Sequence, residues 1–144
     1  MVRIIGLIAF TFLASFTYGQ DKLTWKMLEE VQFKAEEDEE TGEMLWYPTF
    51  GSNLLMMDES KVAIEGYMIP LDLDKGLYVL SANPFAACFF CGNAGPESVM
   101  AIKFVERPRR FDTDEVVKLE GYLELNSTDV MELNYILNQA VEVD

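Results

Sequence analysis

Apolar and polar residues alternate along several β-rich runs. A glycine recurs at the same place in two of them, and a charged connector with Pro108, Arg109 and Arg110 separates the third barrel run from the fourth. Together these features predict a mostly β protein: a small five-stranded OB-like barrel with an N-terminal helix and β-hairpin extension. The 144 residues suffice for one such domain and not comfortably for two. Half of them are apolar and a quarter charged, which is a globular balance.

Residues 1–19 read as a signal peptide. Arg3 supplies the positive charge, Ile4 to Phe16 the apolar run, and Thr17-Tyr18-Gly19 the small-residue spacing before a cut at Gln20. The run is short for a membrane span. The expected location is therefore a bacterial periplasm or the exterior, with membrane contact only through the signal before cleavage.

Residues 20–60 form the expected extension and connector. Thr24 can cap a short helix that places Trp25 and Leu28 on one face. From Val31 the period becomes two: Val31, Phe33 and Ala35, then the acids Glu36 to Glu40, then Thr41-Gly42 and the alternating Met44 and Trp46. This predicts a hairpin with an acidic tip. The acids lack the spaced ligands and turn glycine of a calcium loop. Pro48 to Ser60 reads as a connector with an apolar knot, Leu54-Leu55-Met56-Met57, assigned to the core. Paired methionines can bind copper(I), but packing is their commoner use.

Residues 61–144 form the expected barrel. Strands are predicted at Lys61–Leu71, Leu77–Ser81, Ser98–Val105, Val116–Leu125 and Met131–Val143, the last interrupted by a helical turn near Asn138. Val62 to Met68 echoes Val117 to Leu123, with Gly66 and Gly121 in matching places. Glycine inside a strand marks a bulge or sharp bend, which a small barrel needs at its corners. Glu65 and Glu120 match too, and alternation assigns both to the surface. Arg107, Arg109 and Arg110 are expected to balance Asp112, Asp114 and Glu115. Asn126-Ser127-Thr128 is a glycan-acceptor pattern that reads better as a polar turn.

Composition excludes several functions. Acids outnumber Lys plus Arg by 25 to 11, for a net charge of −14. Such a surface repels phosphate backbones, so the expected partner is a protein or a small cationic ligand and not a nucleic acid. The chain has no histidine, which removes Ser-His-Asp and Cys-His hydrolases and His-ligated zinc.

One loop could carry chemistry. Cys88 and Cys91, the only cysteines, stand in C-x-x-C spacing. They can form a structural disulfide worth about 2 kcal/mol. They can hold zinc or copper(I) together with other ligands, Glu97 being the nearest carboxylate. They can also act as a redox pair, although no βαβ context surrounds them and Phe85, Phe89 and Phe90 would bury them. The following Gly92-Asn93-Ala94-Gly95-Pro96-Glu97-Ser98 could converge N–H groups on an anion. The plainer reading is a tight turn into the third strand, with Glu97 or Ser98 bonding local backbone.

Three segments resemble the DUF3299 family: Gly66-Tyr67-Met68-Ile69-Pro70-Leu71 followed by a Cys-containing loop, Leu119-Glu120-Gly121-Tyr122-Leu123, and Leu133-Asn134-Tyr135-Ile136-Leu137. The resemblance covers roughly residues 60–143. It implies a small exported bacterial protein with an OB-like core, from a family of unknown function that supplies no catalytic residues. Many members carry a single Cys before a proline-rich loop, where this chain has the Cys88–Cys91 pair. The expectation is thus an exported, non-enzymatic binding or accessory protein with no catalytic residues. The alternative is a periplasmic metal-handling or thiol-redox protein using Cys88 and Cys91.

Overall fold

A computed structural model describes residues 21–38, 42–87, 92 and 94–144. The expected signal at 1–19, the expected tip at 39–41, Cys88, Phe89, Phe90, Cys91 and Asn93 lie outside the described residues. In chain order the elements are β1 (Asp21–Lys22), α1 (Trp25–Leu28), β2 (Val31–Glu37), β3 (Met44–Phe50), α2 (Ser52–Leu55), β4 (Lys61–Asp72), β5 (Leu77–Ser81), β6 (Val99–Phe104), β7 (Glu115–Leu125) and β8 (Tyr135–Val143). The barrel closes in the order β4-β5-β6-β8-β7, with β7 returning to β4. Every barrel pair is antiparallel except β6–β8, which is parallel. This is the expected OB-like barrel, and β2–β3 is the expected hairpin, a sheet of its own.

Long strands close the barrel by serving two neighbours. Residues 61–68 of β4 pair with β7, and residues 67–72 pair with β5. β7 does the same between β4 and β8, with a register shift between Glu120 and Tyr122. Gly66 and Gly121 sit at these two corners. Both occupy inward positions in the alternations Val62-Ile64-Gly66-Met68 and Val117-Leu119-Gly121-Leu123, whose other members are buried. A Cβ on Gly66 would lie 2.7 Å from the Ser81 carbonyl oxygen, and one on Gly121 would lie 2.6 Å from that of Asn138. The glycines are needed for space between crossing strands. The echoed runs are neighbours in space, since Gly66 pairs with Val117 and Gly121 with Val62.

The interior joins these residues to Tyr78, Leu80, Met100, Ile102, Tyr135 and Leu137. Leu23, Leu28, Phe50 and Leu54 from the N-terminal segments enter the same cluster. Two polar bonds pin α1 to the barrel. The Trp25 Nε1–H donates to the Glu65 carbonyl at 2.7 Å, and the buried Tyr135 hydroxyl donates to the Leu28 carbonyl at 2.6 Å. Burial holds the Tyr135 phenol above its ordinary pKa and so keeps it a donor.

Some expectations need correction. Of the apolar knot only Leu54 is fully buried. Met57 packs against the core, while Leu55 and Met56 are exposed, because a one-turn helix buries a single face. Pro48 belongs to β3, not to the connector. Residues 131–134 precede β8 as loop, and the irregularity near Asn138 is a β-bulge with Gln139 at φ 51°, not a helical turn. Glu120 is buried to 9 % exposure and pairs with Lys61 at 3.1 Å. It lies opposite Ala63, while Glu65 lies opposite Lys118, so the two carboxylates do not form a facing pair.

Arg109 is the hub of the connector between β6 and β7. Its guanidinium bonds Glu115 and Glu142 and lies 4.3 Å from the Phe111 ring centroid. Glu115 is the expected partner; Glu142 comes from the distant β8. The Arg109 bond, with help from the Asp112 N–H, holds the Glu115 carboxyl below its ordinary pKa. A folded pKa below the unfolded one adds stability above the unfolded value, which is lost as pH falls through the folded one. Arg109→Met is therefore expected to flatten the loss of stability between about pH 5 and about pH 2. Urea unfolding across that range checks this, and an unchanged acid limb would remove the pair from the account.

Candidate functional site

Several outward positions of β4, β5 and β6 are apolar where water would be expected. Ile69, Val79 and Val99 face away from the interior, yet they are buried in a second small cluster against Leu133. Leu133 reaches them from the loop between β7 and β8. Beside this contact the same face stays open. Val79 and Ala101, Leu71, Leu77, Pro96, Val130 and Met131 line a groove of about 550 Å³. Leu77 is 50 % and Met131 90 % exposed. In OB barrels the second and third strands and their rim loops are the usual binding face, and here those strands are β5 and β6.

Four hydrogen bonds of the rim loop converge on one side chain. Asn126 is buried, and its Oδ1 accepts from the Thr128 N–H at 3.2 Å and the Asp129 N–H at 3.0 Å. Its Nδ2 donates to the Asp129 carbonyl at 2.7 Å and the Leu133 carbonyl at 3.2 Å. Asp129 Oδ1 in turn accepts from the Met131 N–H at 2.9 Å. A Lys103–Glu132 pair at 3.8 Å ties the loop to β6. Met131 is thus presented to solvent by an ordered loop, above an apolar floor. All four bonds are local, so Asn126 builds the polar turn expected there.

The groove was not among the expected sites, which all fell in the loop after β5. Of these, Gly92 is exposed with φ 73°, consistent with the conformational freedom expected there. Gly95 precedes a short 3-10 turn, Pro96–Ser98, at an ordinary φ of −80°. Pro96 lines the groove, and Glu97 is half-buried. Ser98 is buried and its hydroxyl donates to the Gly95 carbonyl at 2.6 Å, the local bond of the turn reading. Among the described residues no group of three or more His, Cys, Asp or Glu could hold a metal ion. None of the described helices is long and apolar enough to cross a membrane. A second groove, of about 530 Å³, runs beside β1 and includes Lys22, Trp25, Glu65 and Lys118. Its indole N–H and the Glu65 carbonyl already satisfy each other.

Fold and groove define an OB-like barrel with an apolar outer face and an N-terminal hairpin. No family model matches the sequence, and no curated protein matches it. Among solved structures, a DUF3299 family protein from Pseudomonas aeruginosa is similar over 88 % of this chain and 97 % of its own, with a TM-score of 0.52 and 11 % identity. At that identity the likeness is one of fold, and it lies in the family that the strand motifs resemble.

Proposed function

We propose that this chain is an exported, non-enzymatic binding or accessory protein that holds a partner protein in the groove over β5 and β6. The apolar floor beneath the exposed Met131 carries this reading. Exposed apolar patches with polar rims mark interaction surfaces, and methionine adapts to varied partners. A photo-crosslinking residue at position 131, in cells exporting the protein, tests it. A single discrete adduct is expected, absent from position 118 and lost when Leu77→Asp puts a charge on the floor. An adduct that survives Leu77→Asp, or no adduct at all, would overturn the assignment.

The Cys88–Cys91 pair carries the second reading, metal handling or thiol redox, which its C-x-x-C spacing favours. Native intact mass without reductant or chelator separates the cases. A bound zinc or copper(I) ion makes metal handling the leading function. A mass two hydrogens short of the reduced chain means a disulfide, and a reduction potential then distinguishes a staple from a redox pair. Turnover of a thiol or disulfide substrate at an enzymatic rate would sink the non-enzymatic reading.

A further inference from the structure

The hairpin has one apolar side. Directly opposed residues of an antiparallel pair share a face, so Val31 with Phe50, Phe33 with Pro48, Ala35 with Trp46, and Glu37 with Met44 lie on that side. At its base this side is core: Phe50 and Pro48 are buried, and Val31 packs against the main cluster. Towards the tip the same side emerges into solvent, with Trp46 63 % and Met44 59 % exposed. Among the described residues the two strands pair only with each other. A tryptophan in that position holds a large apolar area that no described part of the chain covers.

Charge selects what covers it. Residues 31–50 carry six acids, Glu36, Glu37, Asp38, Glu39, Glu40 and Glu43, against Lys34 alone, which already bonds Glu36 at 2.8 Å. A second copy would bring the same acids and the same net charge of −14. We propose that the hairpin is a docking arm for a basic segment of a partner protein. An apolar side chain of that segment packs on Trp46 and Met44, and its Lys or Arg groups lie against Glu36, Glu37, Asp38 and Glu43 and over the indole. None of these residues lines the β5–β6 groove, so the arm is a separate surface.

A synthetic peptide of alternating Lys and Leu is the probe, with Glu-Leu and Lys-Ser peptides of equal length as controls, titrated into the purified chain and followed by amide and indole NMR shifts. The Lys-Leu peptide is expected to shift residues 33–37 and 44–47 and the Trp46 indole. It should bind about tenfold more weakly at about 0.5 M salt than at about 0.05 M, and about tenfold more weakly to Trp46→Ser. Glu36→Lys with Glu37→Lys keeps Trp46 and Met44 and takes residues 31–50 from six acids against one Lys to four against three, so the Lys-Leu peptide should bind about tenfold more weakly and lose most of its lead over the Glu-Leu peptide. Equal binding of the Glu-Leu peptide to the unaltered chain, or an affinity unmoved by Trp46→Ser, would overturn the proposal. So would a dimer of the free chain, seen by sedimentation, that Trp46→Ser dissolves, because the face would then belong to a second copy.

Discussion

Gly121→Ala is expected to lower the unfolding free energy by about 3 kcal/mol, at the upper end of what overpacking costs. The added methyl would stand 2.6 Å from the Asn138 carbonyl oxygen, 2.8 Å from Leu137 Cγ and 3.1 Å from Leu137 Cδ1. The nearest of these atoms is backbone, at the bulge of β8, and β7 is held on its other edge by β4. Neither strand can move away without breaking a ladder of the closed barrel. Gly66→Ala should behave in the same way, because its Cβ meets the Ser81 carbonyl oxygen at 2.7 Å and both Leu80 Cγ and the Trp25 ring at 3.0 Å. Chemical denaturation measures both. A Gly121→Ala variant within about 0.5 kcal/mol of the parent would mean that the crossing of β7 and β8 is looser than described.

Asn126→Ala should cost about 2–3 kcal/mol and, more tellingly, release the rim loop. Four part-buried hydrogen bonds converge on that side chain, and its removal leaves the N–H groups of Thr128 and Asp129 and the carbonyls of Asp129 and Leu133 to pair with water instead. Amide exchange of residues 127–133 should accelerate well beyond that of the β5 and β6 strands. Asn126→Asp keeps the two acceptor bonds but turns a carboxylate oxygen on the Asp129 and Leu133 carbonyls, so it should release the loop at least as much as Asn126→Ala. If exchange in the loop is unchanged by Asn126→Ala, the loop is held by Leu133 packing and its other contacts. Met131 would then be displayed without any help from Asn126.

Most of the barrel was legible because alternation is local. The period-two runs placed β4, β5, β6 and β7 within a residue or two of their observed ends, and the matched glycines marked the two corners. The hairpin was legible for the same reason. The start of β8 was missed because Met131 to Leu133 continues an apolar pattern, and nothing local reveals that Leu133 turns back over β4, β5 and β6. The burial of Glu120 was missed because alternation gives a side chain's face, while its exposure depends on what else lies there. The outer groove was missed on the same grounds: Ile69, Val79 and Val99 look like ordinary strand residues until a loop more than thirty positions later covers them.

The sequence by itself determined most of the barrel strands, the acidic composition, the absence of histidine chemistry and the matched places of Gly66 and Gly121, since each depends on residue type and near neighbours. Only the tertiary structure decided that β6 and β8 run in parallel, that β7 returns to β4, that Asn126 holds a loop above an apolar face, and that Trp46 emerges from the core side of the hairpin. These arrangements join residues far apart in the chain. Their energies come from apolar area buried and hydrogen bonds satisfied across the closed barrel, which no local pattern encodes.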